Sequence, residues 1–384
     1  MNEDLSDCRV LIVDDVKSNV DVLVHALRDD YKLSVALNGE VALRSAEKNP
    51  PDLVLLDILM PGMNGYEVCQ RLRAGSQNRD VPVMFLSSLE EVANKALGFE
   101  VGGNDYLTKP FEIQEVKARV RSLLKAKAYS DAVKEKMASE LRIAREIQHG
   151  FLPSDVAAAM EGTGLEISAV LEPAKEVGGD LYEVVRTDDG RIVIALGDVS
   201  GKGIPAALFM AVATTLIRMA ARRLQTPEQI VLDVSDALAS KNPQNMFVTL
   251  FCAVFDLKSR SFRYASAGHP SPVILRPGSA PSMSLESTAM MAGLYSGMPV
   301  ESRQLDLRPG DTLVIYSDGI TEAFNAQGDS FGDRRLVEHL AGDLAASAAA
   351  VVAGVVGAVR QHAGDQPQSD DITVVAVRYN GAPT

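Results

Sequence analysis

Cysteine is scarce in this sequence: Cys8, Cys69 and Cys252 stand far apart among 384 residues, with no Cys-x-x-Cys spacing. That scatter excludes a disulfide framework and a thiolate zinc site, and it fits a reducing compartment. Positive charge is also in deficit. Lys and Arg number 38 against 51 Asp and Glu, a net −13, so general affinity for nucleic acid or an anionic membrane would work against long-range repulsion. The chain opens on an acidic stretch rather than a basic n-region followed by a long apolar core; no secretion leader is expected, and the setting is read as cytoplasmic. The longest uncharged apolar stretch, 344–359, is shorter than the roughly 18–20 residues that span a bilayer and reads as a buried helix. Nor is there a nucleotide-binding loop. In Gly-Asp-Val-Ser-Gly-Lys-Gly, 197–203, three residues separate the first glycine from Gly-Lys, and Gly203 stands where Ser or Thr is needed. The arginines within 218–223 read as the polar end of an apolar helix, so a DNA-recognition helix is not expected either.

What is present is ordinary globular material, 46% hydrophobic and 23% charged, and a length suited to two or three domains. Over residues 1–125, short apolar runs (9–13, 33–36, 53–58, 81–87, 105–109) alternate with stretches of helical period (17–28, 39–47, 65–74, 90–99, 112–125). Runs such as Val10-Leu11-Ile12-Val13 are continuously apolar, as strands buried on both faces must be. Five βα units predict a flavodoxin-like, doubly wound parallel sheet. Residues 126–150 form a connector: Gly and Pro are absent from 126–149, and Val133, Met137, Leu141, Ala144 and Ile147 recur at helical spacing. This stripe fits a coiled-coil homodimer, and a monomeric surface helix fits it too. Residues 151–384 change rhythm, with clustered strands (191–196, 247–255, 312–316, 372–377), a hairpin signal at Asp188-Asp189-Gly190 and long helices near 205–224 and 227–240. The expectation there is an α+β domain of sheets flanked by helices.

Each domain gathers acids at strand ends. In the first, Asp14 and Asp15 end one strand, Asp57 another, Ser87 a third and Lys109 a fourth, so all five converge on one sheet edge. Clustered carboxylates need a cation, and Mg2+ binds through one or two of them. A carboxylate held so can attack phosphorus, leaving Lys109 and Ser87 to meet the added oxygens. In the last domain, Asp180, Asp198, Asp318 and the pair Asp370-Asp371 each follow or precede an apolar strand beside small residues. With no Cys or His cluster, they suit two Mg2+ or Mn2+ ions rather than zinc, and hence phosphate-ester hydrolysis. Acidic turns that merely solvate strand ends give the same spacing. His269, beside a turn, reads as structural.

The first set, in VLIVDD, LVLLDILMPGMNG, VMFLSS and DYLTKPF, resembles response-regulator receiver domains over about 7–125. The resemblance implies Asp57 as phosphoacceptor, Mg2+ at the Asp14–Asp15–Asp57 cluster with the Leu59 carbonyl, a cis bond before Pro110, and Ser87, Tyr106 and Lys109 as the switch. Ser87 stands where threonine is commoner. The second set resembles the PPM superfamily of metal-dependent serine/threonine phosphatases, in its SpoIIE- and RsbU-like branch, over about 140–380. It runs from LRIAREIQHGFLP through EVGGDLYEV, GDVSGKGIPAALFM, FVTLFCAVFDL, SAGHPSPVIL and LVIYSDGITEAF to SDDITVVAV. It implies that Asp198 bridges two ions, with Asp180 and the Val199 carbonyl on one, and Asp318 and Asp370 on the other. Asp371 is the weaker candidate of its pair, and the match loosens over 293–299.

Taken together, the chain reads as a response regulator with a phosphatase output. A sensor histidine kinase or phosphotransfer protein would phosphorylate Asp57, and the substrate would be a phosphorylated anti-sigma-factor antagonist of the STAS type in a partner-switching pathway. Phosphorylation would change connector packing and move the helix after Gly203, which positions Asp198. The competing reading is a non-catalytic adaptor that uses the phosphatase fold to bind a regulatory protein.

Overall fold

A computed structural model describes residues 5–87, 95–153, 156–342 and 346–381. The chain divides into two units, Met1–Ala138 and Ser139–Thr384.

The first unit alternates strand and helix: β1 (Arg9–Val13), α1 (Lys17–Leu27), β2 (Lys32–Ala36), α2 (Gly39–Lys48), β3 (Leu53–Asp57), α3 (Gly65–Ala74), β4 (Val83–Ser87), α4 (Lys95–Glu100), β5 (Asp105–Thr108) and α5 (Ile113–His149). The parallel sheet has the order β2-β1-β3-β4-β5. The order reverses between β1 and β3, which opens a crevice at their carboxyl ends. β3 and β4 are buried at every position, because helices cover both faces; that is why their sequences are uninterrupted rather than alternating. Helix α3 begins with a capping box in which Asn64 accepts from the Glu67 N–H and Glu67 accepts from the Asn64 N–H. At Gly65 a Cβ would lie 2.3 Å from the Asp57 carbonyl, so only glycine lets this helix start so close to the strand. Of the helix expected over 90–99, residues 90–94 lie outside the described residues and α4 accounts for the rest.

The absence of Gly and Pro from 126–149 lets the helix expected over 112–125 run on into the connector. Helix α5 runs unbroken from Ile113 to His149. Lys134 pairs with Asp80 at 2.7 Å. Val133, Met137 and Ile147 are each about half exposed or more.

The second unit continues with α6 (Val156–Ala159), β6 (Leu165–Glu172), β7 (Leu181–Arg186), β8 (Arg191–Val199), α7 (Ile204–Arg223), α8 (Pro227–Ala239), β9 (Val248–Asp256), β10 (Ser261–Ala267), β11 (Val273–Leu275), β12 (Arg303–Leu305), β13 (Thr312–Tyr316), α9 (Asp318–Thr321), α10 (Gly332–Leu340), α11 (Ala348–Ala363) and β14 (Ile372–Tyr379). Two antiparallel sheets, β12-β10-β9-β8-β7 and β11-β13-β14-β6, face each other. Between them lies a core centred on Ile194, Phe251, Phe255, Tyr264, Ile315 and Val375. Helices α7 and α8 cover the outer face of the first sheet, and α10 and α11 that of the second. Helix α7 is long and apolar enough to cross a membrane by composition, yet Ala206, Met210, Ala213, Ile217 and Ala220 sit in the core beneath it. The β7–β8 turn falls where Asp188-Asp189-Gly190 predicted it, with Gly190 at φ +92°. The apolar stretch 344–359 largely becomes α11, with Val351, Val352, Val355 and Val359 buried; residues 344 and 345 are outside the described set.

Phe255 is fully buried, stacks on Phe262 with ring centroids 4.2 Å apart and meets Tyr379 edge-on. Replacing it by alanine is expected to cost about 3–5 kcal/mol. Urea unfolding followed by circular dichroism should show the second unit's transition moving to lower urea while the first unit's stays put; an unmoved second-unit transition would contradict this packing.

Candidate functional site

In the first unit the carboxyl ends of β1, β3, β4 and β5 bring the expected residues together. Asp14, Asp15 and Asp57 offer ligand atoms within 4.8 Å of one another. Asp14 and Asp57 are buried, and Lys109 Nζ lies 2.9 Å from Asp14 Oδ2 and 2.7 Å from Asp57 Oδ1. Burial, above all, pushes the Asp57 carboxyl up to about 6; the Lys109 hydrogen bond opposes this, and the Asp14 and Asp15 charges add to it. Burial alone would lower Lys109, but its bonds to Asp14 and Asp57 hold it above the ordinary lysine value.

Asn19, which the sequence reading passed over, fixes Asp14: its amide donates to both carboxylate oxygens at 3.1 and 3.0 Å, and the Val16 N–H adds a third bond at 2.8 Å. The register pairs Asp57 with Leu86 and Ser87 with Thr108, so Ser87 and Lys109 flank Asp57. Among the described residues the buried Ser87 hydroxyl has no hydrogen-bond partner, and a phosphoryl oxygen on Asp57 would supply one. This donor set, oxygen-rich and short of positive charge, suits a hard divalent ion. Leu59 lies two residues past β3, with its side chain exposed.

Tyr106 is not part of the cluster. Its ring is buried between Phe85 and Phe99, at centroid distances of 5.4 and 5.3 Å, and at Gly98 a Cβ would collide with its hydroxyl. The Lys109–Pro110 bond is cis.

In the second unit strand register does the assembling. β7 and β8 are antiparallel with Leu181 opposite Gly197, so Asp180, one residue before β7, falls beside Asp198. Asp198 is not at a strand end as expected but the penultimate residue of β8, paired with Thr249 of β9. In the other sheet, Tyr316 pairs with Val374 and the Ser317 N–H donates to the Thr373 carbonyl. That pairing sets Asp318, the first residue of α9, against the Asp370-Asp371 turn that precedes β14. All four proposed ligands thus meet at one end of the sandwich. Val199 closes β8, buried and paired with Val248. A cleft there is lined by Lys175, Gly179, Asp198, Lys202, Asp370 and Asp371, among others.

Like charges crowd this end. Burial raises Asp180 well above the carboxylate range, and Asp198 and Asp371 add to the rise. Asp198 is pushed up to about 7 by burial, then by Asp318 and Asp370. Asp318 rises through burial, then through Glu322 and Asp370. Asp180 and Asp198 share a hydrogen bond, and Thr373 Oγ1 donates to Asp180 Oδ2 at 2.5 Å. Acids raised together by burial and by one another, with a single lysine at the rim, are the chemistry of an oxygen-ligand metal site. Asp371 has a different task. Its Oδ1 accepts from the Ala174 N–H at 2.8 Å, and its Oδ2 accepts from the Gly179 and Asp180 N–H groups at 2.7 and 3.3 Å. It shapes the turn that carries Asp180, in line with its reading as the weaker ligand.

His269 is buried with Nδ1 3.0 Å from Thr249 Oγ1, and burial lowers it to about 3. It stays a neutral structural group.

Two further contacts had no signal in the sequence. Near the end of α5, the Gln148 amide pairs with the Gly178 backbone, donating to its carbonyl at 2.6 Å and accepting from its N–H at 3.2 Å. Gly178 is two residues before Asp180, and a Cβ there would sit 2.1 Å from Asp371 Oδ2. On α7, Arg218 donates to the Phe151 carbonyl at 2.6 Å and pairs with the buried Glu183 of β7.

Comparison with known proteins agrees with this layout. Residues 10–121 match the response regulator receiver domain and residues 188–380 match Stage II sporulation protein E (SpoIIE). Protein IcfG of Synechocystis sp. is 25% identical over 96% of this chain and 58% of its own length. Phosphoserine phosphatase RsbU of Bacillus subtilis is 30% identical over 51% of this chain and 57% of its own. The SiaA-PP2C domain of Pseudomonas aeruginosa superposes with a TM-score of 0.58 at 24% identity, covering 65% of this chain and 99% of that one; it shares the fold. The chain spans about half the length of the curated relatives it matches. By these matches the protein is a member of the SpoIIE family of PPM-type phosphatase domains, with a response-regulator receiver domain on the N-terminal side of the same chain.

Proposed function

We propose that this chain is a metal-dependent phosphoserine/phosphothreonine protein phosphatase whose activity is set by phosphorylation of Asp57. The observation that carries the catalytic half is the convergence of Asp180, Asp198, Asp318 and Asp370 at one end of the sandwich, buried enough to raise three of them. In this reading Asp198 is shared by two Mn2+ or Mg2+ ions, Asp180 and the Val199 carbonyl complete one site, and Asp318 and Asp370 the other. Ions held there would polarise the phosphoryl group and make a water acidic enough to attack it near neutral pH. The residues' own tasks are to fix those positions. Thr373 and Asp371 orient Asp180 and its turn, and β8–β9 pairing fixes Asp198. The adaptor reading is disfavoured, because binding a partner gives no reason to crowd Asp180, Asp198, Asp318 and Asp370 together with one lysine at the rim.

In the regulatory half, a sensor histidine kinase or phosphotransfer protein supplies the phosphoryl group. An Asp57 oxygen bonds to phosphorus as the donor's P–N bond breaks, with Mg2+ at Asp14, Asp15, Asp57 and the Leu59 carbonyl offsetting the charge. Ser87 and Lys109 then bind the new oxygens, and Tyr106 repacks. We divide the chain into a receiver over 1–125, a connector over 126–150 and a phosphatase over 151–384. The exposed stripe Val133, Met137 and Ile147 is assigned to a homodimer. Because Gln148 grips the turn before Asp180 and Arg218 ties Phe151 to α7, movement of α5 reaches the metal ligands directly. The substrate is assigned as a phosphorylated STAS-type anti-sigma-factor antagonist, supported by the 30% identity to a phosphoserine phosphatase.

Phosphate release from a phosphoserine protein in Mn2+ is expected to fall by about a thousandfold in Asp198→Asn and to vanish with EDTA; activity retained by Asp198→Asn would sink the two-ion assignment. Gln148→Ala is expected to lower kcat about tenfold, leave receiver phosphorylation by acetyl phosphate intact and erase the difference in rate between phosphorylated and unphosphorylated protein. If that variant still responded to phosphorylation as wild type does, the route through Gln148 would be wrong.

A further inference from the structure

Lys202 stands between Gly201 and Gly203, both at positive φ (+88° and +76°), in the loop that leads from Asp198 into α7. Its ammonium crosses to the far side of the cleft, where Nζ is 2.6 Å from Asp370 Oδ2 and 2.8 Å from the Ser369 carbonyl. One carboxylate oxygen and one backbone carbonyl are the hard-oxygen donors a divalent ion takes. Lys202 thus holds, as a point charge with three donors, part of the ligand shell that the proposed function gives to the second ion. The geometry does not let both cations share Asp370 Oδ2 comfortably: an ammonium at hydrogen-bond distance and a divalent ion on the same oxygen would repel each other within a few ångströms. The lysine is free to leave. Its side chain is 49% exposed, and the glycines on either side give the loop room to turn.

We propose that Lys202 is a resident counter-cation that occupies the second ion's place on Asp370 and is displaced when that ion binds. The inference rests on the two-ion reading above. The Lys202 charge reaches Asp370 directly and Asp318 at longer range, while Asp180 is met by Thr373 from the opposite sheet. Second-ion affinity is then set by a competitor inside the chain as well as by the ligands. The pairing further joins the 201–203 loop to the 369–370 turn, so ion binding frees the loop at the start of α7.

Calorimetric titration with Mn2+ tests this apart from catalysis, on the full chain carrying Asp15→Asn and Asp57→Asn, which removes the receiver's ion and serves as the wild-type reference for the phosphatase end. In Lys202→Met the weaker of two Mn2+ sites is expected to tighten about two- to fivefold, the range an exposed ion pair is worth, while Lys202→Arg, which keeps the charge, stays near wild type. In an Asp370→Asn background, Lys202→Met should bring no tightening. If Lys202→Met left both affinities unchanged or weakened either, Lys202 would be a loop tie rather than a competitor, and the proposal would fall with the two-ion reading intact. Failure of that reference chain to bind two Mn2+ ions would overturn both.

Discussion

The second unit is organised around one electrostatic constraint, the carboxyl groups of Asp180 and Asp198 held within hydrogen-bond reach of each other, the first buried and the second partly so. Two acids in low dielectric cannot both ionise without a compensating charge, and the strand register that pairs Leu181 with Gly197 leaves them no way apart. Much of the local architecture answers that constraint. Thr373 reaches Asp180 from the opposite sheet, Asp371 spends its carboxylate on the backbone of the turn instead of joining the cluster, and Gly178 has no side chain because Asp371 fills the space. In the two-ion reading, cations entering this end of the sandwich would offset the repulsion between Asp180 and Asp198, and their binding would be linked to its final order.

The receiver site meets a similar constraint differently. Asp14 and Asp57 are as buried as Asp180, yet Lys109 bridges them at 2.9 and 2.7 Å. One ammonium serves two carboxylates, leaving room for a single divalent ion and then for a phosphoryl group whose oxygens compete for the same lysine. The Ser87 hydroxyl, unpaired among the described residues, waits beside it. A site with a built-in cation suits switching by added negative charge; a site without one at its centre suits the two ions of the proposed reaction. Lys202, out at the rim, gives the phosphatase site a weaker version of the receiver's device.

The parallel sheet was legible in the sequence almost residue by residue, because buried strands must be continuously apolar and 9–13 and 53–57 are. The acids were legible as well, since each sits beside a strand whose end can be located. Long-range pairings were not. Nothing local tells that Gln148 will meet Gly178, that Asn19 will brace Asp14, or that Lys202 will cross to a residue 168 positions on. Those contacts depend on sheet packing that only the folded chain defines. The unbroken α5 is legible too, because nothing over 126–149 stops a helix that begins in the receiver.

That continuity decides what the connector can transmit. A flexible linker between 125 and 139 would pass on nothing but proximity, whereas a helix with every backbone bond made passes on rotation and axial displacement, since neither can be absorbed without breaking hydrogen bonds. Near one end of the connector Lys134 is tied to Asp80, and near the other Gln148 is tied to the turn that bears Asp180. A surface ion pair such as the first is cheap to break, worth about 0.2–1 kcal/mol. The buried, two-bond pairing of Gln148 is not, because its loss would strand a buried amide and a buried backbone group. If a signal travels along α5 as proposed, it would slip more easily at Lys134 than at Gln148, and its force would fall on the turn that bears Asp180.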